Sequence, residues 1–278
     1  MLTIKKDFPL EQEVLEVLRY IQDVTKKIEV SYLMIGGRAI DLLLHNVYGL
    51  PTYRPTEDID FIIAFESWEE FDYLKNQLIK TGEFKNDKKK CQRLIYKEKM
   101  PIDLLPFGRL EKPYRSISWP SDDDMVMNVQ GFQDINTAAE KINFVKNEMV
   151  IRIASIPGLV VLKLFAWSDR AESKDAQDIF ILLHKYNQIL DNKRLYEDIE
   201  LLGTSAHDVE KVGATLLGRD ARLILSLKNT NIVKEILNKK ERLLNAIAGG
   251  LSMVDIEEKF ATVEKLFEAF CKGFLETK

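Results

Sequence analysis

Three aspartates at the start of apolar stretches are the residues whose types and spacing best suit chemistry. Asp58 and Asp60 open the run Ile59–Phe65, and Asp103 lies at the start of a second apolar run that ends at Phe107. Side chains two residues apart in a strand share one face, so we expect the carboxylates of Asp58 and Asp60 to converge. Such pairs suit Mg²⁺, which proteins usually hold with one or two carboxylates together with substrate phosphates.

Asp103 would complete a three-carboxylate site if its strand neighbours the strand that follows Asp58. A site of this kind can hold two Mg²⁺ ions, which clamp the attacking and leaving oxygens of an in-line displacement at phosphorus. The pattern therefore predicts phosphoryl or nucleotidyl transfer. An isolated Asp-x-Asp is more often a surface pair at a strand edge, so the prediction depends on what surrounds it.

A glycine pair, Gly36-Gly37, lies between the apolar segment Ser31–Ile35 and a segment of helical character that begins at Arg38. Glycines at a strand-to-helix turn offer backbone N–H groups and a helix N-terminus, which attract phosphate oxygens. A lone Gly-Gly is usually only a turn. The order strand, Gly-Gly, helix, Asp-x-Asp strand, Asp strand is less expected by accident and favours a nucleotide site.

The elements predicted to position these residues change along the chain from mixed strands and helices to helices alone. Apolar spacing predicts helices over 10–28 and from 67 to about 80, a turn at 120–124, and strands at 31–35, 59–65, 93–96, 102–107, 125–129 and 149–153. Beyond residue 155 it predicts only helices, at 156–169, 174–187, 191–201, 206–226, 231–246 and 253–275. We therefore expect an α+β domain over residues 1–154, with a mixed sheet and flanking helices, and an all-helical domain over 155–278.

Composition excludes several classes of protein. Hydrophobic residues make up 46% of the 278 residues and charged residues 30%, a balance typical of folded globular chains rather than disordered or fibrous ones. A net charge of −4 argues against a generally basic nucleic-acid-binding surface but allows a local basic groove. Cys91 and Cys271 lack the paired spacing of a cysteine-based zinc site.

The chain also lacks the signals that direct a protein to a membrane. No stretch is apolar enough for a membrane span, and the first residues do not form the apolar region of a signal peptide. We therefore expect a cytoplasmic protein with no membrane partner.

Several of these segments resemble, in the same order, the nucleotidyltransferase superfamily related to DNA polymerase β. The pattern of that superfamily is a hydrophobic strand, Gly-Gly or Gly-Ser, then Asp-x-Asp or Asp-x-Glu, and then a later acid. The matching segments are Met34–Gly37, Asp58-Ile59-Asp60 and Asp103. The interval between Gly37 and Asp58 is longer than is usual in that superfamily, and residues 46–53 resemble a loop extension.

A second stretch, from Leu162 to Ile179, narrows the resemblance to the AbiEii/AbiGii-type toxins. It is similar to the Lys-x-x-Ala, Arg and Lys-Asp-x-x-Asp stretch of that group, through Lys163, Ala166, Arg170, Lys174, Asp175 and Asp178. The run Arg54-x-Thr56-x-Asp58-x-Asp60 suits the same group. Together these matches cover roughly residues 31–185.

The resemblance implies a nucleotidyltransferase-like fold and a role for each matching residue. Asp58 and Asp60 would hold Mg²⁺, and Asp103 would complete the second metal site. Metal coordination would lower the pKa of an acceptor hydroxyl, which attacks the α-phosphorus and expels pyrophosphate. Gly36, Gly37 and Arg38 would bind the phosphates of the nucleoside triphosphate, and Thr56 would orient the carboxylates or contact a phosphate.

The resemblance also assigns residues of the second domain to the nucleotide. Lys163, on the first helix of that domain, would neutralise triphosphate charge in the cleft. The same cleft would be lined by Arg170, Lys174, Asp175 and Asp178. Without the resemblance, Lys163 is better explained as a lysine that snorkels from an amphipathic helix. Lys174 and Asp178 would equally form an ordinary i, i+4 pair on a helix surface.

Basic residues between positions 85 and 99 would suit an RNA backbone, although a solvated hairpin is the commoner explanation of such a cluster. The cluster comprises Lys85, Lys88, Lys89, Lys90, Arg93, Lys97 and Lys99.

The resemblance favours a Mg²⁺-dependent nucleotidyltransferase toxin that modifies RNA such as tRNA, or a protein, and is neutralised by a cognate antitoxin. A second hypothesis is nucleotidylation of a small hydroxyl compound, as antibiotic-modifying relatives perform. A third is a module that binds RNA or a partner without turnover. The presence of Asp58, Asp60 and Asp103 argues against the third.

Overall fold

The computed structural model describes residues 1–51, 56–112, 115–120, 122–144, 148–250 and 256–276. The chain forms two compact units, Met1–Ser155 and Ile156–Lys278. Among the described residues, no helix is long and apolar enough to cross a lipid bilayer.

The strands of the described residues all lie in the first unit. They are β1 (Leu2–Thr3), β2 (Tyr32–Ile35), β3 (Ile59–Phe65), β4 (Phe84–Asn86), β5 (Arg93–Tyr96), β6 (Met100–Gly108), β7 (Ser116–Trp119), β8 (Asp122–Asn128), β9 (Glu140–Phe144) and β10 (Met149–Ile153). Eight of them form one sheet in the order β1-β9-β10-β2-β3-β6-β5-β4, and β7 pairs with β8. The sheet is mixed, because β3 runs parallel to β6 but antiparallel to β2. This confirms the predicted α+β fold with a mixed sheet.

The centre of the sheet is apolar on both faces. All four residues of β2 are buried, as are Ile62 and Leu104 in the neighbouring strands β3 and β6. Strands covered on both faces show nearly continuous apolar runs instead of strict alternation, and this accounts for the composition of these segments. Acidic side chains at the ends of such strands therefore stand out from the pattern.

Helices flank the sheet in the first unit. They are α1 (Gln12–Lys27), α2 (Gly36–Asp41), α3 (Trp68–Lys80) and α4 (Phe132–Thr137), and a π-helical segment, Leu42–Val47, continues α2. In α1 the buried residues Val14, Val17, Leu18 and Ile21 recur every three or four positions, which buries one face of the helix.

The described part of the second unit is entirely helical, as predicted. Its helices are α5 (Ile156–Arg170), α6 (Ser173–Ile189), α7 (Asn192–Tyr196), α8 (Ile199–Thr204), α9 (Val209–Leu223), α10 (Leu227–Asn238), α11 (Lys240–Gly250) and α12 (Ile256–Leu275). Helices α9 and α12 pack closely because of glycine. A Cβ at Gly273 would lie 1.9 Å from the carbonyl oxygen of Thr215, so a larger residue would force the helices apart.

Three local predictions were wrong. The single helix predicted at 191–201 is the pair α7 and α8, because Asp198 accepts a hydrogen bond from the Leu201 N–H at 2.8 Å and caps a new helix. The segment predicted at 231–246 is divided between α10 and α11. The aspartates at 122–124, predicted as a turn, begin strand β8, because pairing with β7 overrides their local turn preference.

Candidate active site

Asp58, Asp60 and Asp103 converge on one face of the sheet, and we call them the acidic triad. Asp60 on β3 lies directly beside Asp103 on β6 in the parallel register, so their side chains share a face. Asp58 precedes Asp60 by two residues. The three residues each offer a carboxylate oxygen, and these oxygens all lie within 4.8 Å of one another. The structure therefore brings together the three predicted metal ligands.

Arg93 binds two members of the acidic triad. Its Nε and Nη2 donate hydrogen bonds of 2.7 Å to the two carboxylate oxygens of Asp103, and Nη2 also lies 3.3 Å from Oδ2 of Asp58. The Asp103 side chain is 11% exposed, whereas that of Asp58 is 38% exposed. Hydrogen bonding to Asp103 raises the pKa of Arg93 above its ordinary value, so the guanidinium stays charged.

The glycine turn between β2 and α2 lies against Asp60. Gly36 has a φ of +79°, and a Cβ built on it would lie 2.0 Å from Oδ2 of Asp60. Both the backbone conformation and the close approach require glycine at this position. The first glycine of the pair thus has a local physical reason, because a side chain there would occupy the position of an Asp60 carboxylate oxygen.

Arg38 connects the start of α2 to the segment that leads into Asp58. Its Nη2 donates a hydrogen bond to the carbonyl oxygen of Thr56, and its Nη1 lies 3.3 Å from Oε1 of Glu11. Thr56 is buried. Arg54, which the sequence motif also included, lies outside the described residues. Arg38 therefore fixes the backbone just before the acidic triad, and its predicted contact with phosphate stays a prediction.

The second unit contains a separate cluster of charged residues, Lys163, Arg170, Asp175 and Asp178, which we call the buried ion network. Three of them are buried, and the side chain of Arg170 is 44% exposed. Lys163 Nζ lies 3.0 Å from Oδ1 of Asp175 and 2.7 Å from Oδ2 of Asp178. Arg170 donates bonds of 2.7 and 2.9 Å to the two carboxylate oxygens of Asp175. These contacts join α5 to α6 with two cations against two carboxylates.

Burial and charge act in opposite directions on this network. Burial lowers the pKa of Lys163, but the carboxylates of Asp178 and Asp175 outweigh it and raise the pKa above its ordinary value. Burial raises the pKa of Asp175, but Arg170 and Lys163 outweigh it and lower the pKa. The contacts between these oppositely charged groups thus favour the charged forms of Lys163 and Asp175. Lys174 differs from them, because it is half exposed and pairs with Glu172 at 2.8 Å.

Sequence reasoning missed Arg93 as a site residue. Its basic neighbours grouped it with a surface cluster, in which Lys85 pairs with Glu98 and Lys97 lies 2.7 Å from Glu16. The missing information is register: Arg93 on β5 lies directly opposite Asp103 on β6. An arginine among apolar residues one hairpin away from Asp103 was the available signal, since a buried carboxylate needs a partner.

The family of the chain follows from a comparison of its whole length. The profile of the family described as nucleotidyl transferase AbiEii toxin, type IV toxin–antitoxin system, matches residues 24–272. The chain belongs to this AbiEii family. Both units lie largely within the match, which confirms the resemblance drawn from the motifs and the class of enzyme, a nucleotidyltransferase. The acidic triad and the buried ion network are therefore both parts of an AbiEii nucleotidyltransferase.

Solved structures give more distant similarities. An antigenic nucleotidyltransferase-like protein from Paracoccidioides brasiliensis is 20% identical, with a TM-score of 0.40, over 62% of this chain and 76% of its own. ANT(2'')-Ia, in complex with adenylyl-2''-tobramycin, is 13% identical at a TM-score of 0.40 over 69% and 95%. A CCA-adding enzyme in complex with ATP is 15% identical at a TM-score of 0.27 over 92% and 66%. No match was found among curated proteins.

Proposed function

We propose that the acidic triad is the catalytic centre of this AbiEii nucleotidyltransferase. It transfers a nucleoside monophosphate from a nucleoside triphosphate to a hydroxyl of RNA, such as tRNA, or of a protein. The observation that carries the proposal is the convergence of three carboxylate oxygens within 4.8 Å, next to a turn that has no side chain at Gly36.

The donor set of the triad fits Mg²⁺. Carboxylate oxygens are the hard ligands that Mg²⁺ prefers, and Asp58, Asp60 and Asp103 supply three of them. Mg²⁺ would stabilise the charge that develops on phosphate oxygens and would lower the pKa of the acceptor hydroxyl. With Arg93 present, the triad keeps an excess of two negative charges over this arginine, which one divalent ion balances. A second ion would suit the site once the triphosphate adds its own negative charge.

The residues around the triad would hold the nucleotide. Gly36 and Gly37 would offer backbone N–H groups to the phosphates, and Gly36 must be a glycine because a Cβ there would lie 2.0 Å from Oδ2 of Asp60. Arg38 and Thr56 would contact phosphate or keep the segment before Asp58 in place, and their mutual hydrogen bond supports the second of these contributions. Of the two carboxylates that contact Arg93, Asp58 is the more exposed, at 38% against 11% for Asp103, and so the more accessible to an incoming ion.

The proposed roles of Lys163, Arg170, Lys174 and Asp178 depend on the AbiEii match. Lys163 would add positive charge for the triphosphate, and the other three would contact the nucleotide. Lys163 is held by Asp175 and Asp178, which keep its amino group charged and fixed in position. Two carboxylates already balance the charge of Lys163, so its proposed contact with phosphate rests on the family match.

Membership of a toxin–antitoxin family also supports an antitoxin as a partner. We propose that expression of the active protein slows growth and that a cognate antitoxin neutralises it. Asp60→Ala should remove the growth effect, whereas Asp72→Ala, at an exposed aspartate of α3, should not.

The decisive experiment incubates purified protein with Mg²⁺, total RNA and each α-³²P-labelled nucleoside triphosphate in turn. We expect label on RNA with the native protein and none with the Asp58→Ala/Asp60→Ala variant. Label on the protein itself or on an added protein would identify a protein acceptor. Equal labelling by the double variant would contradict the proposal, as would label on an added aminoglycoside while RNA stays unlabelled.

A further inference from the structure

Arg93 lies in line with the acidic triad across three neighbouring strands. Asp60 on β3 is paired with Asp103 on β6, and Asp103 is paired in turn with Arg93 on β5. Directly paired residues of adjacent strands project from the same face of a sheet. The guanidinium is thus placed beside the carboxylates by the sheet itself, and not by a flexible loop.

The contact between Arg93 and the triad is bidentate and largely buried. The guanidinium binds both oxygens of Asp103 at 2.7 Å, and the side chains of Arg93 and Asp103 are 15% and 11% exposed. The same Nη2 reaches Asp58 at 3.3 Å. Bidentate arginine–carboxylate pairs of this kind are among the stronger and more specific polar contacts in proteins. Other basic residues of the 85–99 segment face elsewhere, such as Lys85, whose side chain is 66% exposed and pairs with Glu98.

Charge explains what this contact would do. Two carboxylates at close range repel each other unless a cation lies between them. Arg93 lies between Asp58 and Asp103, where a divalent ion shared by the same two carboxylates would otherwise reduce that repulsion. A fixed positive charge next to a metal site also lowers the affinity of the site for a further cation.

We propose that Arg93 is a positioning residue that takes the place of one cation at Asp103 and weakens the binding of divalent ions to the nucleotide-free protein. This inference rests on the proposed function, since it assumes that the triad holds the metal. Arg93 would keep Asp103 aligned with Asp60 before the substrate arrives. The triphosphate, with its own negative charge, would then be needed to complete the metal sites.

The experiment measures Mn²⁺ binding to the nucleotide-free protein by electron paramagnetic resonance of the free ion. We expect Arg93→Gln to bind Mn²⁺ at least about tenfold more tightly than the native protein, because a positive charge near the ion is removed. Arg93→Lys keeps that charge and should stay close to the native affinity. Lys85→Gln, which removes one exposed charge from the same segment, is the matched control and should also leave the affinity unchanged. Asp60→Asn, made in the native and Arg93→Gln backgrounds, locates the ion at the triad.

Unchanged or weaker Mn²⁺ binding by Arg93→Gln would overturn the inference and leave the metal site of the proposed function intact. The same holds if Arg93→Gln stays unfolded, by far-UV circular dichroism, at millimolar Mn²⁺, because the ion should then be able to neutralise Asp103 in place of the arginine. If Mn²⁺ binding does not depend on Asp60 in either background, the metal site of the proposed function itself is wrong.

Discussion

The acidic triad and the buried ion network use the same contact for different purposes. In the first unit Arg93 binds both oxygens of Asp103, and in the second unit Arg170 binds both oxygens of Asp175. The surroundings differ. Arg93 contacts two of three clustered carboxylates, and one of these, Asp58, is 38% exposed. In the network Asp175 is fully buried, and the numbers of cations and carboxylates are equal.

This difference indicates which group of charges is built for a ligand. In the second unit Lys163, Asp175 and Asp178 are buried, and with Arg170, whose side chain is 44% exposed, they form a network of balanced charge that joins α5 to α6. Three clustered carboxylates that outnumber the arginine bound to them retain an attraction for a cation, and a partly exposed member gives that cation access. Both groups lie in segments that resemble the same family, so the resemblance alone does not separate the two roles. Charge balance and burial do.

The largest expected effect is on catalysis at the triad. Asp60→Asn should lower the rate of nucleotidyl transfer about 1,000-fold, which corresponds to about 4 kcal/mol of transition-state stabilisation. Its effect on the free energy of unfolding should be within about 1 kcal/mol, since the substitution also removes repulsion among the carboxylates. Labelled-nucleotide transfer and urea unfolding measure the two quantities, with Asp72→Asn as the control. A loss of stability large enough to account for the lost activity would contradict the proposed difference between the triad and the network.

The reverse pattern is expected in the second unit. Asp175→Asn leaves Lys163 and Arg170 with one buried carboxylate fewer, and should lower the free energy of unfolding by about 3 kcal/mol. Lys174→Gln on the same helix, at a half-exposed side chain, should change it by about 0.5 kcal/mol or less. Urea unfolding monitored by circular dichroism tests both. A cost below about 1 kcal/mol for Asp175→Asn would mean that the network does not hold the helices together.

A third substitution tests whether the network has a second role in binding nucleotide. Lys163→Met and Asp175→Asn break the same contact, but only the first removes the charge proposed to meet the triphosphate. We therefore expect the transfer rate of Lys163→Met to be at least about tenfold below that of Asp175→Asn, a difference of about 1.4 kcal/mol. Both are assayed at a temperature where each variant is folded. Equal rates would make Lys163 a purely structural residue and would sharpen the contrast between the two regions.

Local pattern predicted elements well where side-chain periodicity decides the structure. Strands β5 and β10 have the predicted bounds, and α5 extends the predicted helix by one residue, because their apolar spacing is regular. The prediction failed where another interaction overrides the pattern, as when Asp198 caps α8 and divides one predicted helix into two.

In the candidate site, too, local spacing predicted some positions, and pairing between strands decides the others. Asp58 and Asp60 are two residues apart at the start of β3, and their convergence is readable from that spacing. The arrival of Asp103 depends on β6 pairing with β3, and the arrival of Arg93 depends on β5 pairing with β6 in one particular register. A shift of one residue would have turned Arg93 to the other face, and no local motif encodes that choice.

The smallest expected effect concerns an ion pair outside both regions. Hydrogen bonds from Lys97 and Tyr96 lower the pKa of Glu16 to about 2, from an ordinary value of 4.5. Because the pKa is depressed in the folded protein, the stabilisation is present above pH 4.5 and is lost as the pH falls towards 2. The difference in Tm between the native protein and Glu16→Gln should therefore be small, constant above pH 5, and narrower at pH 3, as measured by circular dichroism. A difference that stays constant from pH 7 to pH 3 would show that the charge of Glu16 contributes nothing. This pair should contribute less to stability than the charges of the triad or the network contribute to activity or stability. Solvent screens it, and it has neither the excess charge of the triad nor the burial of the network.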